Sequence, residues 1–236
     1  MRSIEIIPDN TCPTDFSELK RRSELLASFA PHVQLDISDG LFSPVVSWPY
    51  QSSQWNELKV MAEHGEQLPY SEQMMYEAHL MVEDPDELGL LLIRMGAKRV
   101  MGHVEAFATS DKARKTLDLW RHSSAEVGLA ILFGTSLEVI RPLVPACDVV
   151  LMMSIAMIGK QGAQYEPGIL DRVAKLHAEY PDALIAVDGG VSEKNIADLV
   201  RVGVRRFSVG SAIMKREDPK AAYEELKILA EAAMTK

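Results

Sequence analysis

Short apolar runs alternate with amphipathic segments along the chain. The runs contain four to seven residues each and are rich in Val, Ile, Leu and Met, which is typical of buried strands and too short for helices. Because both faces of the runs are mostly apolar, we expect parallel strands that are covered on the outside. Eight runs are predicted to be strands: Ser3–Pro8, His32–Ile37, Tyr76–Val82, Arg99–Val104, Val127–Ile131, Val149–Met153, Leu184–Val187 and Arg206–Val209.

The segments between these runs have the apolar spacing of helices. The apolar residues of 169–180 share one helical face, and another helix is expected near Gln54–His64. Gly203 follows a further apolar helical face and predicts a left-handed helix end. Asp84–Glu87 resembles a capping box with proline at the first helical position. The chain therefore contains about eight helices in alternation with the eight strands.

This alternation predicts a parallel α/β fold. The 236 residues are close to the roughly 250 that a (β/α)8 TIM barrel uses, and no Gly/Ser-rich or Pro-rich linker divides the chain. We therefore expect a single barrel domain over residues 1–236. An open, doubly wound sheet of the Rossmann or flavodoxin type is the alternative, weakened because no G-x-G-x-x-G turn follows the first run.

The charge balance and the cysteines limit the binding partners and the cellular location that we expect. The 34 acidic and 25 basic side chains give a net charge of −9, which repels phosphate backbones and argues against nucleic-acid binding. A local pocket for one small phosphate stays compatible with this balance. The two cysteines form no disulfide framework, and the sequence contains neither a secretion signal nor an apolar stretch of roughly 18 residues. We expect a cytoplasmic protein without membrane contact.

Polar side chains interrupt the apolar runs near the carboxyl ends of the strands, where TIM barrels carry their chemistry. Asp36, His79 and Asp188 are ligand types for a divalent metal, and a shared cation would offset the cost of burying them. Gln34 precedes Asp36 by two residues and therefore points to the same face of the strand. For His79 alone, the alternative is an interior histidine with satisfied hydrogen bonds.

Two glycine turns indicate a phosphate site. Gly189 and Gly190 follow the seventh strand, and Gly210 and Ser211 follow the eighth. The loops after strands seven and eight of a TIM barrel, together with a helix N-terminus, commonly bind phosphate, and glycine allows backbone N–H groups to approach the anion. The alternative is that both are only tight turns.

With these residues in place, the sequence resembles the ribulose-phosphate 3-epimerase family. The resemblance runs over nearly the whole chain in the family's order and spacing. Its motifs are Leu35–Gly40, Ala78–Val82, Leu151–Ser154, Val187–Val191 and Val209–Ile213. The resemblance implies a TIM barrel of the ribulose-phosphate-binding type and an epimerase acting on carbohydrate phosphates. It also implies a small sugar-phosphate substrate and a homo-oligomeric assembly.

The resemblance further implies the roles of individual residues. Asp36 and Asp188 would exchange the C3 proton of a ketose phosphate from opposite faces, most simply between D-ribulose 5-phosphate and D-xylulose 5-phosphate. One divalent ion (Zn, Mn, Fe or Mg) would be held by these aspartates with His79 and Gln34. The other matches are substrate-lining residues, namely Asp9, Met81, Met153 and Gly162, and phosphate-binding residues, namely Gly189, Gly190, Gly210 and Ser211.

The chain departs from the family pattern at several positions, among them one candidate metal ligand and one substrate contact. The family's strand-two histidine ligand aligns with Gln34, whose amide oxygen is a weaker metal ligand than imidazole, and a substrate-contacting serine aligns with Asp9. Two alternatives to a ribulose-phosphate 3-epimerase therefore stay open. One is another sugar-phosphate barrel enzyme, such as a hexulose-phosphate epimerase, and the other is a non-catalytic sugar-phosphate-binding homologue.

Overall fold

The eight strands close into a parallel barrel. The computed structural model describes residues 3–159 and 162–234. Every strand pairs in parallel with its neighbour in sequence, and the last strand pairs with the first. The closed TIM barrel is thus confirmed and the open sheet is wrong. The strands are β1 (Glu5–Thr11), β2 (His32–Ser38), β3 (Met75–Met81), β4 (Arg99–His103), β5 (Glu126–Ile131), β6 (Val149–Met153), β7 (Ile185–Asp188) and β8 (Arg206–Val209).

Helices follow the strands and cover the outside of the barrel. They are α1 (Phe16–Ala27), α2 (Gln54–Glu63), α3 (Asp86–Arg94), α4 (Ser110–His122), α5 (Leu137–Ile140), α6 (Ile169–Glu179), α7 (Ile196–Arg201), α8 (Ser211–Met214) and α9 (Pro219–Met234). Two 3₁₀ turns span Val104–Ala106 and Arg141–Ala146. Among the described residues, no helix combines the length and the apolar character that crossing a membrane requires.

The predicted helix ends are confirmed at one position and wrong at another. Gly203 has φ of +117° just after α7, as a left-handed helix end requires. The capping box at Asp84–Glu87 does not form, because Pro85 occupies the N-cap position and has no side chain that can cap. Asp86 instead accepts a hydrogen bond from Thr116 of α4 at 2.7 Å, so this acidic segment joins two neighbouring helices.

The apolar core has two layers, one on each side of the strands. The larger layer lies between the strands and the helices. The smaller one fills the barrel itself with Met81, Met101, Ala130, Val149, Leu151, Met153, Ile155, Ile158 and Ala186. Side chains on alternate strand positions point inward, so the same strands supply both layers. The filled interior leaves the carboxyl ends of the strands as the place where a ligand can enter.

Ionic side chains close the opposite, amino end of the barrel. Arg99 of β4 is 2.7 Å from Glu5 of β1 and 3.0 Å from Glu126 of β5. Arg206 of β8 also pairs with Glu5 and Glu126. Buried Glu77 of β3 lies 3.5 Å from Arg99, and burial raises its pKa to about 7 against the opposing attraction of Arg99 and Arg206. This network ties together strands on different sides of the barrel.

Candidate active site

Asp36, His79 and Asp188 meet at the carboxyl end of the barrel, as the sequence predicts. Asp36 and His79 are register partners on β2 and β3, so their side chains leave the sheet on the same inner face. His79 Nδ1 lies 3.1 Å from Asp36 Oδ1 and 3.3 Å from Asp188 Oδ2. One ligand atom from each residue falls within 4.8 Å of the others. The trio can therefore converge on one cation.

The trio is buried, and its charges compensate one another. Burial lowers the pKa of His79, but the hydrogen bonds and charges of Asp188 and Asp36 outweigh burial and raise it to about 9. Burial raises the pKa of Asp36, and the hydrogen bond from His79 opposes that rise. An imidazolium thus offsets negative charge inside the barrel. When His79 gives up its Nδ1 proton, two carboxylate oxygens and one imidazole nitrogen form a donor set that suits a divalent metal.

Gln34 lies inside the same cluster with its amide nitrogen, rather than its oxygen, facing the carboxylates. Nε2 donates to Asp36 Oδ1 and to Asp188 Oδ2, each at 2.8 Å. The amide oxygen accepts a hydrogen bond from Ser208 Oγ at 2.5 Å. In this structure the amide oxygen therefore faces Ser208 rather than the carboxylates, because N–H donors are attracted to carboxylates. Gln34 as a metal ligand stays a prediction.

His103 and Glu105 support His79 from behind. His79 Nε2 is 2.9 Å from His103 Nε2, and His103 Nδ1 is 3.3 Å from Glu105 Oε2. Burial lowers the pKa of His103 to about 4, against the hydrogen bond to Glu105 that raises it. Neutral His103 can therefore accept from the His79 imidazolium and donate to Glu105, which fixes the ring of His79.

One cavity above the trio collects the remaining predicted residues. Gln34 and His79 are fully buried behind it. Its lining contains Asp9, Asp36, Met81, Met153, Gly162, Asp188, Gly189, Gly190, Gly210 and Ser211. It also contains Val191 of the Val187–Val191 motif and four residues that the sequence did not single out, namely Thr11, Ile155, Gly159 and Ala163. The candidate carboxylates and the candidate phosphate loops thus face one space.

The loop after β7 requires glycine at two consecutive positions. Gly189 has φ of +108°, and a Cβ there would lie 2.7 Å from the Ile155 side chain. Gly190 has φ of +66°, and a Cβ there would lie 2.9 Å from Cβ of Tyr165. Neither the backbone conformation nor the space admits a side chain. The backbone therefore borders the cavity directly, which an anion bound through N–H groups would need.

Asp9 enters the cavity from β1 as a third buried carboxyl group. Its side chain is 4% exposed, and Oδ1 has no hydrogen-bond partner among the described residues. Burial and the charges of Asp188 and Asp36 raise the pKa of Asp9 well above its usual range. The protonated form that this favours can donate as well as accept a hydrogen bond. Asp9 therefore presents a polar group to a ligand.

Ser208 is a further residue of the site that sequence reasoning missed. It stands in the short apolar run of β8 and is the register partner of Asp188 on β7. The available signal was strand alternation, because Ser208 shares its face with Arg206, which also points inward. A single serine carries little chemical information without knowledge of what lies opposite, so the pattern alone did not identify it.

The family model and the similar proteins of known sequence agree on one family. The sequence model of the ribulose-phosphate 3 epimerase family matches residues 12–214. Ribulose-phosphate 3-epimerase of Aquifex aeolicus is 31% identical over 198 residues, covering 82% of each chain. The Schizosaccharomyces pombe enzyme of the same name is 27% identical and covers 90% of this chain and 88% of its own.

Solved structures share the fold at much lower identity. KGPDC from Streptococcus mutans superposes with a TM-score of 0.68 at 13% identity, covering 98% of this chain and 99% of the other. The 3-hexulose-6-phosphate synthase from Salmonella typhimurium gives 0.67 at 14% identity, covering 98% of this chain and all of the other. At these identities the similarity shows the barrel fold alone.

Proposed function

Because the chain belongs to the ribulose-phosphate 3-epimerase family, we propose that it epimerises a ketose phosphate at C3, interconverting D-ribulose 5-phosphate and D-xylulose 5-phosphate. The observation that carries the proposal is the pair of buried carboxylates, Asp36 on β2 and Asp188 on β7, lining one cavity with the glycine loops. Two such groups can remove a proton from one face of a carbon and return one to the other face.

The proton transfers follow from this pair. One carboxylate oxygen takes the proton from C3, and the C–H electrons move into an ene-diolate with the C2 ketone. The other aspartate, which enters the cycle as the carboxylic acid, then delivers its proton to the opposite face of C3, and the two residues exchange roles in the reverse reaction. His79 Nδ1, which lies 3.1 Å from Asp36 and 3.3 Å from Asp188, restrains the orientation of both carboxyl groups. Both aspartates thus act as acid and as base.

A divalent ion fits the donor set of Asp36, His79 and Asp188. Zn, Mn, Fe and Mg are all compatible with these ligand types. When bound, such an ion would act as a Lewis acid toward the substrate ketone and favour the ene-diolate. His103 and Glu105 would then orient the imidazole of His79 from the far side.

The remaining residues would bind and enclose the sugar phosphate. The backbone of Gly189 and Gly190 and the segment Gly210–Ser211 border the cavity where the phosphate would bind. Met81 and Met153 line the same cavity beside the carboxylates and exclude water from the reacting carbon. Gly162 and Asp9 complete the substrate contacts, Asp9 through a hydroxyl of the sugar.

Deuterium exchange tests the reaction directly. The protein is incubated with D-ribulose 5-phosphate in D₂O, and NMR measures deuterium at C3 together with the appearance of D-xylulose 5-phosphate. Asp171→Asn is the matched control, since Asp171 is an exposed aspartate on α6. We expect exchange with the wild type and with Asp171→Asn. Absence of deuterium at C3 in the wild type would refute the proposal.

One observation favours a different ketose phosphate as the substrate. Asp9 places a buried carboxyl group on the cavity wall, where the family pattern has a serine, and this changes the hydrogen bonding offered to the sugar. The alternative substrate is a hexulose 6-phosphate, epimerised at the same carbon by the same pair of aspartates. Parallel assays with both substrates distinguish the two, because kcat/KM reports the preference.

A further inference from the structure

The Gln34 side chain is held by hydrogen bonds to charged and polar partners, two of which lie on other strands. It is fully buried on β2, two residues before Asp36. Its amide nitrogen contacts Asp36 Oδ1 and Asp188 Oδ2 at 2.8 Å each, and lies 3.4 Å from His79 Nδ1. Its oxygen is held by Ser208 of β8 at 2.5 Å. Both N–H groups and the oxygen therefore have partners.

The orientation of this amide follows from the charges around it. A primary amide has two N–H donors on one side and an acceptor oxygen on the other. Turning it around would place the oxygen against two carboxylate groups and leave both without these donors. The hydroxyl of Ser208 can donate to the oxygen, so the observed arrangement satisfies every group. Hydrogen bonds to charged acceptors are the stronger ones, and Gln34 forms two of them.

We propose that Gln34 and Ser208 form a positioning pair that holds Asp36 and Asp188 together and competes with a divalent cation for their oxygen atoms. The aspartate roles rest on the proposed function above, whereas the competition rests only on the hydrogen bonds. The amide nitrogen has no lone pair to offer a metal, and its N–H groups occupy carboxylate oxygens that a cation would need. The two aspartates are thereby held in place before any cation binds.

This inference predicts whether replacing Gln34 strengthens or weakens metal binding. If Gln34 were a metal ligand through its oxygen, its removal would weaken metal binding. If its N–H groups compete with the metal, removal strengthens binding, because the cation no longer displaces two charge-assisted hydrogen bonds. Gln34→Met preserves the length of the side chain and removes both donors. We expect it to bind Mn²⁺ at least about tenfold more tightly than the wild type.

The measurement is a titration of the metal-stripped full chain with Mn²⁺, followed by the electron paramagnetic resonance signal of free Mn²⁺. Thr116→Val is the matched control, because it removes a buried hydroxyl of α4 far from the cluster and should leave the affinity unchanged. Ser208→Ala removes only the anchor of the amide oxygen and should tighten binding by a smaller factor. Ser208→Ala also tests the proposal if Gln34→Met does not fold.

Two results would overturn the positioning pair. One is equal or weaker Mn²⁺ binding by Gln34→Met, or by Ser208→Ala if the first variant is unfolded. The other is no binding by either the wild type or the variants at millimolar Mn²⁺, since the amide would then not be what opposes the cation. A side-chain N–H₂ pair in the ¹⁵N spectrum of the metal-free protein should be protected from solvent exchange and lost in Gln34→Met.

The result of the Mn²⁺ titration can be distinguished from that of the deuterium-exchange test of the proposed function, because the titration uses no substrate. A wild type without deuterium exchange at C3 would refute the epimerase proposal and leave the Mn²⁺ result standing. Normal exchange together with weaker Mn²⁺ binding by Gln34→Met would refute the positioning pair alone.

Discussion

His79 carries its positive charge between Asp36 and Asp188, and this shared arrangement sets what each aspartate can do. A carboxylate buried without a partner would lose much of its tendency to ionise. Here the hydrogen bonds and charges of both aspartates raise the pKa of His79 to about 9, although burial alone lowers it. The imidazolium therefore persists at neutral pH in this structure and stabilises the carboxylate form that proton abstraction needs.

Replacing either aspartate by asparagine should remove one of the two proton-transfer groups. We expect Asp36→Asn and Asp188→Asn each to lower kcat by about 10²–10⁴-fold, the usual contribution of general acid–base catalysis. Steady-state kinetics with D-ribulose 5-phosphate measures the effect, with metal content determined in parallel because each change also removes a candidate ligand. Asp171→Asn serves as the control. A kcat close to that of the wild type in either variant would contradict the assignment.

The sequence identifies these site residues because their type and their place on a strand are both informative. Asp36, His79 and Asp188 are polar groups at the carboxyl ends of buried strands, and a closed barrel must bring such ends together. The direction of the Gln34 amide, in contrast, cannot be predicted from residue type and strand position. It depends on acceptors from β2 and β7 and on a donor from β8, so it requires distances across the barrel that no single segment encodes.

Among the elements, strand interiors are predicted more accurately than strand and helix ends. The predicted runs and the observed strands agree closely for β2 to β8. The first strand extends to Thr11 rather than Pro8, because Asp9–Thr11 continue the parallel ladder with β2. A run of apolar residues cannot reveal this extension, since backbone pairing with a neighbour decides it. The capping box at Asp84–Glu87 fails because the helix begins one residue later than predicted, with Pro85, which has no capping side chain, at the N-cap position.

The turn after β7 offers a test at the scale of an element. Gly190→Ala would introduce a Cβ at φ of +66° and 2.9 Å from Cβ of Tyr165. We expect the free energy of unfolding to fall by about 1–2 kcal/mol and KM for the sugar phosphate to rise, because the backbone bordering the phosphate site must shift. Denaturant unfolding and steady-state kinetics measure the two effects.

Gly134→Ala is the matched control for this turn. A Cβ at Gly134 meets nothing within 4 Å, and its φ is not in the left-handed region. It should leave both stability and KM close to those of the wild type. If Gly190→Ala kept the wild-type KM while losing stability, the phosphate would bind elsewhere.

At the scale of the whole molecule, the two ends of the barrel use buried charge differently. The carboxyl end gathers acidic groups around one imidazolium, whereas the amino end joins Arg99 and Arg206 to Glu5, Glu77 and Glu126. The eight-fold alternation predicts that the barrel closes. It does not predict this network, because its members lie on β1, β3, β4, β5 and β8, and each alone is an ordinary charged residue at the start of a strand.

Glu77 gives the amino-end network a measurable pH dependence. Burial raises its folded-state pKa from 4.5 to about 7, against the attraction of Arg99 and Arg206. Between these two values the unfolded chain has released the proton while the folded chain retains it. The free energy of unfolding that Glu77 contributes is therefore fully present below pH 4.5, falls as the pH rises, and is lost above about pH 7.

Glu77→Gln removes this titration and keeps the shape of the side chain. The variant's free energy of unfolding minus that of the wild type should therefore increase between about pH 4.5 and pH 7, by up to about 3 kcal/mol, and then level off. Urea unfolding of both proteins across this range measures the difference. Glu66→Gln, at an exposed position, is the control and should give a difference that does not vary with pH. A flat difference for Glu77→Gln would mean that Arg99 and Arg206 keep the buried carboxylate ionised at the lower pH as well, so that the network is a fully charged cluster throughout.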